Sequence, residues 1–244
     1  MDRITKVFSK LFFEGICSLG IFILFTFFIQ SKLLACSPGS FHADGNKNKK
    51  AIALTFDDGP GESSLKVLEL LDHYQVKATF FMNGDQVELR PELAKEVLKR
   101  GHEIGDHTYS HINFYAYEKK FGLEKTKLKV KEEIQKSRDL IVQATGKSPE
   151  LCRMPHGYHR AWMKEIAKEF NICLVNWTFG KDWLKISEDR LSKEYLQNLK
   201  PGAILLFHDG GRHREKTLNL LPLIIEEAKK RDFSIITVNQ ILEP

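Results

Sequence analysis

Two adjacent carboxylates, Asp57 and Asp58, stand where a short apolar run meets the chain-breaking Gly59-Pro60-Gly61. The run Ala51-Ile52-Ala53-Leu54 reads as a buried strand, so both carboxylates are presented at its carboxyl end. Ionised side by side, they repel unless a cation lies nearby. Taken alone, the dipeptide also suits a hydrated turn, which Asp and Gly favour. Farther along, His107 and His111 are spaced so that a helical turn would put both imidazoles on one face, able to grip one cation. With a carboxylate from the first strand they supply His, His and Asp, with positions left open for water. That set suits zinc, cobalt, nickel or iron.

The elements that must position these residues alternate along the chain. Helices are expected over 63–74, 91–100, 123–145, 161–170, 187–199 and 217–231, and strands over 51–54, 78–82, 103–106, 151–154, 173–177, 203–207 and 234–238. Helices between most successive strands argue for parallel pairing through right-handed crossovers. The fold class expected is α/β, a distorted, incomplete seven-stranded (β/α) barrel, with an open doubly wound sheet as the alternative. No GxGxxG or Walker sequence follows a strand, so a nucleotide site would lack its phosphate loop. In such a fold the strand ends share one face. There the unusual polar residues collect: Asp57 and Asp58, Asp106 and His107, Arg153, Asp182 and Trp183, and His208 with Asp209.

The chain has 244 residues, 42% hydrophobic and 28% charged, a size typical of one α/β barrel domain of about 200–250 residues. Its net charge of +5 is scattered, without an aromatic-interleaved basic stripe, and no nucleic-acid partner is expected. The cysteines, Cys17, Cys36, Cys152 and Cys173, include no CxxC pair. Cys152 and Cys173 read as buried free thiols, with a disulfide between them as the alternative if their strands are neighbours. Arg3, Lys6 and Lys10 precede an uncharged run from Gly15 to Ile29. Residues 1–36 therefore read as a signal peptide or a retained membrane anchor, 37–50 as a polar linker, and 51–244 as the domain carrying the chemistry. Leu33-Leu34-Ala35-Cys36 is similar to the lipobox of bacterial lipoproteins, a third option in which Cys36 is lipidated. Each option exports the remainder across the cytoplasmic membrane.

Thr55-Phe56-Asp57-Asp58-Gly59-Pro60, His107-Thr108-Tyr109-Ser110-His111, Arg153-Met154-Pro155-His156-Gly157, Asp182-Trp183 and Leu206-Phe207-His208 resemble the five ordered motifs of the polysaccharide deacetylases, carbohydrate esterase family 4. The resemblance covers about Lys50 to Glu243. It implies that Asp58, His107 and His111 bind one divalent metal ion, zinc ahead of cobalt, nickel or iron. It implies that Asp57 is the general base, paired with Arg153, and that His208 is the general acid, oriented by Asp182. Pro155, His156, Trp183 and Leu206 would contact substrate, Trp183 and Leu206 flanking the acetyl methyl. His156 departs from the family's usual tyrosine or phenylalanine, which bears on pocket shape and substrate preference. The activity implied is hydrolysis of N-acetyl groups on N-acetylhexosamines of a polysaccharide, peptidoglycan first. Chitin oligosaccharides and O-acetylated xylan are alternatives. The alternative of another class is a glycan-binding protein without turnover.

Overall fold

In the computed structural model, which describes residues 36–212 and 214–244, a short strand β1 (Phe41–His42) precedes the long β2 (Ala51–Gly59). There follow α1 (Ser64–His73), β3 (Thr79–Met82), α2 (Gly84–Leu89), α3 (Pro91–Lys99) and β4 (Glu103–Asp106). The middle of the chain holds α4 (Phe114–Phe121), the long α5 (Leu123–Thr145), β5 (Leu151–Cys152), α6 (Met163–Glu169) and β6 (Cys173–Val175). Then come α7 (Glu188–Gln197), β7 (Ala203–His208), α8 (Glu215–Lys230), β8 (Ser234–Ile235) and α9 (Val238–Leu242).

All pairings between these strands are parallel, in the order β1-β6-β5-β4-β3-β2-β7, with β8 beside the start of β2. Beyond β6, a bridge from Phe179 to Leu205 of β7 links the two sides, with the Thr178 N–H donating to the Ile204 carbonyl beside it. The fold is thus the expected α/β architecture, a distorted and incomplete barrel. Among the described residues there are eight strands rather than seven, because β1 adds one. The last strand is also shorter than expected. Thr237 accepts from the Gln240 N–H and the Gln240 side chain returns to the Thr237 N–H, a capping box that turns 238–242 into helix.

β2 explains how one strand serves both core and chemistry. Side chains alternate between faces along a strand. Ile52, Leu54 and Phe56 point outward into the apolar layer shared with α1, α7 and α8. Ala51 and Ala53 point inward to a second cluster with Phe81, Ile204 and Val238. The inward series then continues as Thr55 and Asp57, both buried. The barrel interior is therefore apolar and closed below by α9, and polar at its carboxyl-end rim.

The segment 37–50, expected as a linker, is fastened to the domain and contributes the edge strand β1. β1 pairs with β6, Gly45 N–H donates to the Gly202 carbonyl, and Asn46 N–H donates to that of Ile241. Its polar side chains suggested a loop, but edge pairing uses backbone groups that any side chain carries. The cysteine expectations also change. Cys36 and Cys173 form a disulfide, whereas Cys152 is a buried free thiol. Cys152 stands opposite Leu174 and Cys173 opposite Leu151, so Cys152 and Cys173 face opposite sides of the sheet and cannot meet. Cys36 is buried, and its sulfur is committed to that disulfide, which excludes the thioether of a lipid anchor. The signal-or-anchor reading of the preceding residues lies outside the described residues. Among the described residues no helix is long and apolar enough to cross a membrane.

Candidate active site

Strict alternation would place Asp57 in the rim and send Asp58 to the helix-covered face. A bulge prevents this: the β2–β3 register shifts between Asp57 and Gly59, and Asp58 takes a φ of 69°. Both carboxylates then face one cleft. The chain following β7 closes tightly over this bulge. A Cβ on Gly210 would collide with the Asp58 carbonyl, so a glycine is required there.

His107 and His111 come from the loop after β4. The expected helical turn does not form. Thr108 and His111 adopt left-handed backbone, φ 66° and 53°, and that turn brings the ring centroids to 5.2 Å. Two helices grip the loop. At the start of α2 the N–H groups of Gly84 and Asp85 donate to the Thr108 and Tyr109 carbonyls at 2.9 and 3.0 Å. From α5 the buried Glu133 accepts from the Ser110 N–H at 2.7 Å and from its hydroxyl at 2.9 Å.

Asp58 Oδ1 lies 3.2 Å from His111 Nε2 and 3.5 Å from His107 Nε2, yet it is buried and makes no hydrogen bond. His107 Nδ1 meets the Arg153 carbonyl at 2.6 Å, which assigns its proton there and leaves Nε2 as the lone-pair nitrogen. One ligand atom from each of Asp58, His107 and His111 falls within 4.8 Å of the others. A buried oxygen orphaned between two imidazole nitrogens is the donor set that a divalent cation satisfies, so these residues fit a metal. Burial alone would raise the Asp58 pKa. The facing imidazoles outweigh it and hold the group well below the usual carboxylate range.

Behind Asp57 stands Arg153, wholly buried. Its Nη1 donates to Asp57 Oδ1 at 2.7 Å and to Thr55 Oγ1 at 2.8 Å, while Nε and Nη2 donate to the carbonyls of Val175 and Asn176. The guanidinium also lies 4.0 Å from the Phe81 ring centroid. Across the cleft, Asp182 Oδ1 is 2.7 Å from His208 Nδ1. Asp182 Oδ2 accepts from the His208 N–H and from the Thr217 hydroxyl. His208 Nε2 is left to face the cleft. Burial pushes the His208 pKa down, but the bond and charge of Asp182, with the charges of Asp57 and Asp58, outweigh it and raise it above the ordinary value of 6.5.

The cleft, about 390 Å³, is lined at its base by Asp57, Asp58, His107, His111 and His208. His156, Trp183 and Leu206 contribute to its walls. Arg153 and Asp182 stand behind the lining and act through the residues in front of them. Pro155, expected to touch substrate, is buried in a 3₁₀ turn (Pro155–Gly157) outside the lining. That turn gives His156 a φ of 57° and sets its ring 4.9 Å from that of His111. Two wall residues, Trp177 and Arg214, escaped the sequence reading. Trp177 read as the end of a strand. Arg214 was one basic residue among many, yet its Nε donates to the Gly210 carbonyl and its Nη2 lies 3.6 Å from Asp58 Oδ2.

Comparison with known proteins agrees with this geometry. Residues 44–175 match the polysaccharide deacetylase family. A peptidoglycan-N-acetylglucosamine deacetylase of Bacillus cereus is 36% identical over 199 residues, 80% of this chain and 89% of that protein. The crystal structure of a peptidoglycan N-acetylglucosamine deacetylase in complex with 4-naphthalen-1-yl-N-oxidanyl-benzamide superposes with a TM-score of 0.75 at 31% identity, over 85% of this chain and 92% of that one. A carbohydrate esterase family 4 pseudoenzyme from Bacillus anthracis superposes with a TM-score of 0.74 at 28% identity, over 85% and 70%. On its matched residues, its parallel β/α fold and the five motifs gathered in one cleft, this chain belongs to the polysaccharide deacetylases of carbohydrate esterase family 4, a family of hydrolases.

Proposed function

We propose that this protein is a metal-dependent deacetylase that removes N-acetyl groups from N-acetylglucosamine residues of peptidoglycan, releasing acetate and leaving a free amine. One observation carries the reading: the Asp58–His107–His111 triangle lies in a single cleft between a fixed carboxylate, Asp57, and a carboxylate-backed imidazole, His208. Asp58, His107 and His111 would hold one divalent ion, zinc first. When bound, the ion supplies Lewis acidity, polarising the amide carbonyl and making water acidic enough to attack at neutral pH.

The chain's own residues handle the protons. Asp57 takes a proton from the attacking water, and Arg153, itself held by the Thr55 hydroxyl oxygen, keeps that carboxylate in place. His208 gives a proton from Nε2 to the departing nitrogen, which would otherwise leave as an unstable amide anion. Asp182 fixes the tautomer by holding Nδ1. Trp183 and Leu206 shape an apolar wall suited to the acetyl methyl, and His156 stands where the sugar would enter.

Peptidoglycan is favoured over chitin oligosaccharides or acetylated xylan by the names of the relatives above and by the export-like N-terminus. The Cys36–Cys173 disulfide supports an oxidising, extracytoplasmic location and a place in the bacterial cell envelope. The pseudoenzyme relative makes glycan binding without turnover the reading to beat. The test is acetate release from N-acetylated peptidoglycan and from N-acetylglucosamine oligomers, after chelation and again after adding zinc or cobalt. Metal-restored release is expected, lowered roughly 10²–10⁴-fold by Asp57→Asn or His208→Ala. Stoichiometric metal and bound glycan with no acetate from either substrate would establish the binding protein instead.

A further inference from the structure

The reaction cleft, at about 390 Å³, lies at the small end of the 300–1,000 Å³ typical of small-molecule sites, whereas the proposed substrate is a polymer. Neighbouring sugars must therefore lie on the rim. On the β7 side that rim carries Trp183, 45% exposed, its ring 5.2 Å from His208. On the opposite side, beyond β4 and β5, stands another exposed aromatic residue, Tyr115 of α4, at 42%. Its hydroxyl donates to the Gly157 carbonyl at 3.2 Å, directly after His156 of the cleft wall. The buried Tyr158 packs against it at a 73° interplanar angle, and the Arg160 guanidinium lies 5.0 Å from its centroid. Arg160 is itself held by Glu118 of the same helix at 3.0 Å. The ring is thus tethered at its tip and backed from behind, although much of it faces solvent.

A singly exposed aromatic is ordinary on a protein surface. One locked beside a glycan site has a use. The axial C–H hydrogens of a pyranose pack on the electron-rich face of an aromatic ring, and a ring already fixed loses little entropy on binding.

We propose that Tyr115 is a subsite for a pyranose of the same glycan chain, beyond the residue that enters the cleft on the His156 side. Trp183 and Tyr115 then bracket the reaction site, and the enzyme acts on internal residues of a chain rather than on free monosaccharides. This rests on the glycan reading above, but not on turnover.

The test compares N-acetylglucosamine dimer and pentamer. The gain in kcat/KM from dimer to pentamer should fall roughly tenfold in Tyr115→Ala and be retained in Tyr115→Trp. Phe121→Ala, which removes an equally exposed aromatic from the far end of α4, should leave the gain in place. Calorimetric pentamer binding to Asp57→Asn and to Asp57→Asn/Tyr115→Ala repeats the comparison without catalysis. Loss of pentamer affinity through Tyr115 with no acetate release in any variant would sustain the subsite and sink the deacetylase reading. An unchanged gain in Tyr115→Ala, or equal losses for dimer and pentamer, would overturn the subsite.

Discussion

In the proposed reaction His208 acts only while protonated, and Asp182 helps to set how far up the pH scale that lasts. Burial works against the imidazolium, and the carboxylates of Asp182, Asp57 and Asp58 together work for it and prevail. Activity should therefore persist above the ordinary histidine pKa of 6.5 and fall as pH rises through the raised value. Asp182→Asn keeps the shape but removes the nearest charge raising the His208 pKa, so that pKa drops and the alkaline limb of kcat/KM moves to lower pH. The loss relative to wild type should be greater at pH 8 than at pH 6. Coincident limbs in the two proteins would mean that another group sets the profile. The residues of this relay were legible in the sequence because carboxylates, imidazoles and a buried-strand arginine cost too much to collect at strand ends by chance. Arg214 and Tyr115 were not legible. Nothing in their types distinguishes them from the other basic and aromatic residues, and only their neighbours give them a place.

Among the secondary-structure elements, two short helices that periodicity did not announce contribute to the site. α2 buries little beyond Gly84 and Val87, and α4, although Phe114, Tyr117 and Phe121 share one side, buries only Phe114, so neither gives a sustained helical period. Yet the first N–H groups of α2, unpaired within any helix, are the donors that hold the histidine loop. The long α5 was plain from its pattern and its Gly146 end, but the purpose of Glu133 within it was not. Two part-buried hydrogen bonds from Ser110 fix the loop just before His111, and Lys129 at 3.3 Å offsets the carboxylate's charge. Glu133→Ala should release the left-handed turn and weaken zinc about 10–100-fold, as loss of outer-sphere support does at other sites. Glu133→Gln can still accept from the N–H and donate to the hydroxyl oxygen, and should lose much less. Competition with a chromogenic chelator measures this without any substrate. Equal zinc affinities in wild type and Glu133→Ala would show that the loop holds its shape unaided.

For the molecule as a whole, the alternation of strands and helices and their parallel pairing followed from sequence periods, whereas the way its beginning is fastened did not. A polar stretch with one Phe-His pair carries no strand signal, and Cys36 invited a lipid rather than a disulfide. In the fold, β1 lies against β6, and the Cys36–Cys173 disulfide closes a loop of 137 residues. A fragment begun at Lys50 would lose both, exposing the edge of β6 and leaving Cys173 as a thiol. Cross-linking so long a loop restricts the unfolded chain far more than the folded one, which points to a stabilisation of about 2–4 kcal/mol. Cys36→Ser should therefore lower the urea midpoint, and the reducing agent should lower the wild type to match while leaving the variant unmoved. Cys152 provides the internal control: buried in the native state, it should react with a thiol reagent only on unfolding. If reduction left the midpoint unchanged, the β1–β6 pairing alone would be holding the start of the domain. If the midpoint falls as expected, the disulfide contributes stability of the kind that suits the extracytoplasmic location proposed above.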